Sequence, residues 1–252
     1  MLTILDLFSG IGGFSYAAEV LVGGYKTIGF CEYDKKCQEV LKLRFPGVPI
    51  YPDIRELNEE TLSKIHANII TGGYPCQPFS QAGKRGGEDD DRHLWPEMCR
   101  IISIVKPKYV ICENVSGHIS MGLDSVLFDL ESEGYGWEAF IIPACALNAP
   151  HRRDRIWIIA NNNGELLRQQ QKPITGSGDT AKPSGNGGKE SMAHPQGSGI
   201  GGAWATEPGM GRVANGIPAR VDRLKGLGNA VVPQIPEILG KMIMQAKGNN
   251  YE

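Results

Sequence analysis

The 252 residues carry 26 Lys+Arg against 28 Asp+Glu, a formal charge of −2, and 41% of them are hydrophobic. That suffices for one large α/β domain with a full core, alone or with a small lobe. No apolar stretch approaches the ~20 residues of a membrane span, and Met1-Leu2-Thr3-Ile4 runs straight into strand-like sequence, so neither a membrane partner nor a secretion leader is expected.

Thr3 to Leu7 is a short apolar run, followed by the glycine-rich turn Phe8-Ser9-Gly10-Ile11-Gly12-Gly13 and then helical spacing from Phe14 to Val22. Thr27 to Cys31 predicts a second strand that ends at Glu32. Asp34 is placed to cap a helix with Cys37, Val40, Leu41 and Phe45 on one face. Asn68 to Thr71 predicts a strand ending at Gly72-Gly73, Trp95 to Val105 a helix, and Lys108 to Cys112 a strand. Leu123 to Glu133 reads as an amphipathic helix, and Ala139 to Ile142 with Ile156 to Ala160 as a final strand pair. Strands alternating with helices imply a Rossmann-like α/β fold with a mostly parallel, twisted sheet covered on both faces. Ligands of such sheets bind at the carboxyl ends of the strands.

From 161 to about 220 the chain is rich in Gly, Asn, Gln, Ser and Pro, with one helical stretch at Glu165 to Gln171. This segment is expected to be a small irregular lobe or a disordered loop. Regularity returns at Arg223, and Gln234 to Ala246 predicts a closing helix with Pro236 in its first turn. The expected division is a catalytic domain of residues 1–160 and 221–252, with 161–220 as a separate small region. Charge divides similarly: residues 1–150 hold 13 Lys+Arg and 20 Asp+Glu, residues 151–252 hold 13 and 8. The basic part suits a polyanion or is an ordinary solvated surface, and charge alone does not separate the two.

The glycine turn lets a ligand approach backbone closely. Its spacing is not GxGxxG and no Lys-Ser/Thr follows, which disfavours a nucleoside triphosphate. Glu32, at the next strand end, can take both hydroxyls of a ribose, and Asp53-Ile54 can meet an adenine amine. An adenosine ligand without phosphates fits, S-adenosylmethionine above all; a tight turn with solvated acids is the plainer alternative.

Cys76 lies in Gly72-Gly73-Tyr74-Pro75-Cys76-Gln77-Pro78-Phe79-Ser80, between two prolines that stiffen its surroundings. The loop continues through Gln81, Gly83, Lys84, Arg85, Gly86 and Gly87, a basic, glycine-containing flap suited to a phosphate backbone. A cysteine in such a polar loop is a poor core residue and a candidate nucleophile. Glu113, after the apolar run Tyr109-Val110-Ile111-Cys112, is a candidate proton donor whose pKa burial would raise, with Asn114 fixing its orientation. Arg152, Arg153 and Arg155 precede Ile156-Trp157-Ile158-Ile159. Strand alternation puts Arg153 and Arg155 on one side, where a guanidinium could neutralise Glu113 or grip a base carbonyl. The six cysteines, Cys31, Cys37, Cys76, Cys99, Cys112 and Cys145, include no CxxC pair, so free thiols in a reducing cytoplasm and no metal centre are expected.

DLFSGIGGF from Asp6 to Phe14, Glu32, Asp53-Ile54, PCQPFS, Glu113-Asn114-Val115, the Arg152-Arg153-Asp154-Arg155 cluster and Gly228-Asn229-Ala230-Val231-Val232-Pro233 occur in that order. In this the chain resembles the C5-cytosine-specific DNA methyltransferases, over Thr3 to Ala160 and Arg220 to Ala246; its abbreviated end resembles the short phage and prophage members. The resemblance implies an S-adenosylmethionine-dependent DNA (cytosine-5-)-methyltransferase, with S-adenosylhomocysteine as product. It implies Cys76 as the nucleophile at cytosine C6, Glu113 at N3, Arg155 at the base O2 and Arg153 in support. It places the cofactor at Asp6, Phe8, Gly10, Gly12, Gly13, Glu32, Tyr33, Asp53, Ile54, Pro75, Leu94, Asn229 and Val231. It places DNA at Gln77, Ser80, Gln81, Lys84, Arg85 and Arg152, and makes 161–220 the target recognition region, with Gln169, Gln170, Gln171, Lys172 and Arg212 as candidate base readers. The implied partner is double-stranded DNA with the target base flipped out, met by a monomer, with or without a separate cognate restriction endonuclease. His151 departs from the Gln usual in the family, and the motif before Gly228 is shortened. The rivals are a tRNA-methylating member and a cofactor-binding regulator without turnover.

Overall fold

The apolar run Leu2–Leu7 is buried on both faces, the signature of a central strand in a sheet sandwiched by helices. The computed structural model describes residues 1–75, 94–149, 151–162 and 230–249. Cys76, Gln77, Ser80, Gln81, Lys84, Arg85, Asn229 and almost all of the 161–220 segment lie outside them.

In chain order the strands are β1 (Leu2–Leu7), β2 (Tyr25–Cys31), β3 (Ile50–Tyr51), β4 (Ile69–Gly72), β5 (Tyr109–Val115), β6 (Gly136–Pro143) and β7 (Asp154–Asn161). The helices are α1 (Gly13–Tyr16), which continues as a π-helical stretch Ala17–Val22, α2 (Lys35–Arg44), α3 (Glu59–Leu62), α4 (Trp95–Val105), α5 (Leu123–Ser132) and α6 (Gln234–Asn249). The sheet order is β3-β2-β1-β4-β5-β7-β6. The pairings from β3 to β5 are parallel, whereas β7 runs antiparallel to both β5 and β6. This is a Rossmann-like α/β architecture with one reversed strand. The reversal matters for the site: the amino-terminal end of β7 arrives at the edge where the parallel strands present their carboxyl ends.

Alternation along the strands divides the core. Leu5, Leu7, Ile70, Val110, Cys112, Ile156 and Ile158 pack with α4 and α5. Leu2, Ile4, Ile69, Tyr109, Ile111 and Trp157 pack with α1 and α6 through Phe14, Ile235, Leu239 and Ile243. The expected Asp34 cap is present, its carboxylate accepting from the Lys36 and Cys37 amides. Two elements carry no clear periodicity in the sequence: β3, two residues long, and the single-turn α3. Among the described residues no helix is long and apolar enough to cross a membrane.

Trp157 has no accessible surface and meets Phe14 edge-on, with ring centroids 5.7 Å apart. Truncating it leaves a hole between β7 and α1. Trp157→Ala is expected to cost about 3–5 kcal/mol, measured by urea denaturation.

Candidate functional site

The glycine turn takes its shape from backbone that side chains disfavour. Gly10 and Gly12 have φ of 54° and 82°, and Phe8 itself is left-handed at 51°. A Cβ on Gly12 would strike Phe45 and Leu41 at 2.8 and 2.9 Å, and one on Gly13 would strike Val231 Cγ2 at 2.5 Å. The space a Cβ on Gly10 would enter is open. The turn is therefore packed from behind and open in front.

Glu32 stands just past β2 and braces this turn. One carboxylate oxygen accepts from the Gly10 amide and the other from the Asp34 amide, both at 2.7 Å. Tyr33 beside it is 76% exposed. Asp53 caps the turn Ile54–Glu56, and its oxygens receive Arg55 Nε and Nη2. That hydrogen-bonded guanidinium holds the Asp53 carboxyl below its ordinary range. Ile54 is buried and Leu94 half-buried against the same core. Glu32, Tyr33, Asp53 and Ile54 thus follow β2 and β3, beside the turn that follows β1.

Asp6 sits beneath the turn, fully buried. Its two oxygens accept from Ser15 Oγ at 2.8 Å and Thr71 Oγ1 at 2.7 Å, so one carboxyl ties β1 to α1 and β4. Burial lifts it from 3.8 to about 7, against the pull of these hydroxyls, and the nearby Glu32 charge adds to the lift. This network is a brace the sequence motif does not reveal.

The acid lies two strands away. Glu113 follows Tyr109 and Ile111 on the alternation of β5 and faces the α1/α6 side. Arg155, diagonal to it on β7, brings Nε to 3.0 Å from Oε1. Both side chains are largely covered, at 13% and 22% exposure. Burial pushes the Glu113 carboxyl up; the Arg155 and Arg153 charges, and the Arg155 hydrogen bond, pull part of the way back. A Cβ built on Gly73 would lie 3.3 Å from Glu113 Oε2. The carboxylate therefore rests against the backbone that leads, through Tyr74 and Pro75, to Cys76.

Two residues differ from expectation. Asn114 does not orient Glu113: its Nδ2 donates to the Tyr74 carbonyl at 3.1 Å, so it holds the segment entering the cysteine turn. Alternation does not carry Arg153 to the side of Arg155, because Arg153 precedes β7 with φ of 38° and its Nη2 donates to the Ala230 carbonyl. Arg152 is exposed and pairs with Asp154 at 2.9 Å. Sequence reading also missed Tyr74 and His118, buried partners whose Oη and Nε2 lie 2.9 Å apart. Tyr74 stacks obliquely on Trp95, at 5.0 Å between centroids. A tyrosine before Pro75 and a histidine three residues past Val115 carry no periodic signal that would join them.

A Rossmann-like sheet with a glycine turn after β1, an acid after β2 and a covered Glu-Arg pair at the β5/β7 edge has the frame of a Rossmann-like methyltransferase fold. The model of the family described as C-5 cytosine-specific DNA methylase matches residues 2–190, and the chain belongs to that family. The Type II methyltransferase M.DsaV of Dactylococcopsis salina is 33% identical over 181 residues, 69% of this chain and 50% of that protein. The Type II methyltransferase M.HhaI of Haemophilus parahaemolyticus is 34% identical over 177 residues, 68% of this chain and 53% of that one. The chain spans about half the length of these curated relatives. Among solved structures, Dnmt2 methyltransferase of S. pombe matches with a TM-score of 0.57 over 64% of this chain and 51% of that one; at 24% identity it attests the fold alone.

Two outcomes follow from the buried carboxyls. The folded chain holds the Asp6 proton more tightly than the unfolded chain, so this group's contribution to stability is largest in acid. It declines as pH rises from about 4 through about 7. Urea unfolding across that range should show the decline in the wild type and a flatter profile in Asp6→Asn. Arg155→Gln should move the Glu113 titration midpoint upward, read by carboxyl carbon NMR, because the opposing positive charge is gone while the burial remains.

Proposed function

We propose that the chain is a DNA (cytosine-5-)-methyltransferase that uses S-adenosylmethionine and works through a covalent bond between Cys76 and cytosine C6. The observation that carries this reading is the placement of Glu113: largely covered, paired with Arg155, and against Gly73 on the way to Cys76. A largely covered carboxyl whose pKa burial raises, resting against the backbone that leads to the cysteine, suits attack on an electron-poor pyrimidine.

The residues around the glycine turn suit an adenosine ligand without phosphates. Open space at Gly10 admits the ligand to the backbone, Glu32 brings a carboxylate, an acceptor suited to ribose hydroxyls, to the same turn, and the exposed Tyr33 ring can cover an adenine face. Phe8, Gly12, Gly13, Asp53, Ile54, Pro75, Leu94, Asn229 and Val231 complete the proposed pocket, with Asp6 bracing it from beneath. When bound, the sulfonium supplies an electrophilic methyl group.

Cys76, as thiolate, adds its sulfur to C6 of a flipped-out cytosine. Glu113 hydrogen-bonds or protonates N3, so the electron pair pushed into the ring is held there and C5 becomes nucleophilic. Arg155 donates to O2 and keeps Glu113 in place. C5 takes the methyl group as its bond to the sulfonium breaks, leaving S-adenosylhomocysteine; the C5 proton passes to solvent, its bonding pair re-forms the C5–C6 double bond and expels the Cys76 sulfur as thiolate, and N3 returns any proton to Glu113. Gln77, Ser80, Gln81, Lys84, Arg85 and Arg152 would meet the DNA, residues 161–220 would read the target, and residues 1–160 and 221–252 would form the catalytic domain. The protein acts on double-stranded DNA as a monomer in the cytoplasm.

Offered a 5-fluorocytosine duplex and S-adenosylmethionine, the wild type should form a protein–DNA adduct that survives denaturing electrophoresis. Cys76→Ala should form none and lose tritiated-methyl transfer by about 10⁴-fold or more. Activity retained by Cys76→Ala removes the nucleophile assignment, and label entering tRNA but not DNA replaces the substrate.

A further inference from the structure

Arg153 and Arg155 are two residues apart and the charges of both act on Glu113, yet Arg153 donates to Ala230 while Arg155 pairs with Glu113 itself. At Arg153 the backbone is left-handed, φ 38°, a conformation that L side chains resist. The inversion is pinned from the β6–β7 connection, where the Ala144 amide donates to the Arg152 carbonyl at 2.7 Å and reaches the Arg153 carbonyl at 3.4 Å. In continuous strand backbone both arginines would share one face. Instead Arg155 goes to Glu113, while Arg153 sends Nη2 to the Ala230 carbonyl at 2.9 Å, across 77 residues of sequence.

The next residue is Val231, whose Cγ2 fills the place of the missing Gly13 Cβ. Val231 also packs in the layer formed by Phe14, Trp157 and Ile235. Contacts thus run unbroken from the β6–β7 connection through Arg153, Ala230 and Val231 to the back of the glycine turn.

We propose that Arg153 is a positioning residue for the cofactor half of the site: it clamps the segment before α6 against the glycine turn and thereby sets affinity for the adenosyl ligand, whereas Arg155 serves the target base. The inference rests on the function proposed above and adds a division of labour between the two arginines. Loss of Arg153 frees Ala230, and Val231 ceases to hold the turn from behind. The turn's left-handed residues then relax, and the ligand meets an unformed surface.

The test is calorimetric binding of S-adenosylhomocysteine to the full chain and to Arg153→Ala, Arg153→Lys and Arg155→Ala, with steady-state kinetics and thermal midpoints alongside. Arg153→Ala should weaken binding about tenfold or more, the scale of one lost charge-assisted hydrogen bond. It should raise KM for S-adenosylmethionine by more than it lowers kcat, whose smaller fall reflects the loss of the Arg153 charge that acts on Glu113. Arg153→Lys, which can donate to the same carbonyl, should recover most of the affinity. Arg155→Ala should lower kcat and bind S-adenosylhomocysteine within about twofold of wild type. Arg153→Gly removes the guanidinium while relaxing the left-handed backbone, and it should show the same affinity loss even if the alanine form does not fold. An Arg153 variant that binds like wild type and loses kcat instead overturns the proposal. A wild type that binds no S-adenosylhomocysteine overturns the cofactor reading itself, a failure visible before any variant is measured.

Discussion

A carboxylate kept from water needs a partner, and Glu113 has Arg155. Removing either member would leave a buried charge uncompensated, which is costly. The pair exists because β7 is reversed within a parallel sheet: only then does a residue from the start of one strand stand diagonal to a residue near the end of another. The Glu113 carboxyl is lifted by burial and restrained by two guanidinium charges. That balance leaves the carboxyl easier to protonate than a free glutamate while it stays anchored to its guanidinium.

The two halves of the site are built differently. The acid half is side chain on rigid sheet: Glu113, Arg155 and the Asn114 amide that holds Tyr74. The proposed ligand half is backbone, shaped by Gly10, Gly12 and Gly13 and braced by buried side chains behind it. Asp6 joins them, since the same carboxyl touches α1 below the glycine turn and Thr71 on the strand that leads toward Cys76.

Much of this was legible in the residues themselves. The strands β1, β2, β4, β5 and β7 begin and end within three residues of where their spacing put them, and Asp34 caps α2 as its position before the helix implies. Strand ends and motifs coincide because ligand chemistry in such sheets gathers at the carboxyl edge. What escaped was tertiary. Strand alternation presumes extended backbone, and at Arg153 the chain is inverted. Asn114 was assigned to its sequence neighbour, yet its partner is 40 residues away across β4 and β5. Tyr74 and His118 meet only once those two strands are paired. Two-residue β3 is too short for any period to register.

The reversed strand also bears on how the molecule assembles. β6 and β7 are near in sequence and pair antiparallel over eight positions, so this ribbon can zip up early with little loop entropy to overcome. The contact between β1 and β4 joins residues 65 apart and must wait for distant chain to collapse. Contact order predicts that Arg155 is carried into place on an early hairpin and that Glu113 meets its guanidinium when that hairpin docks along β5. The edge that holds the pair is then expected to close late, after the scaffold that shelters it has begun to condense.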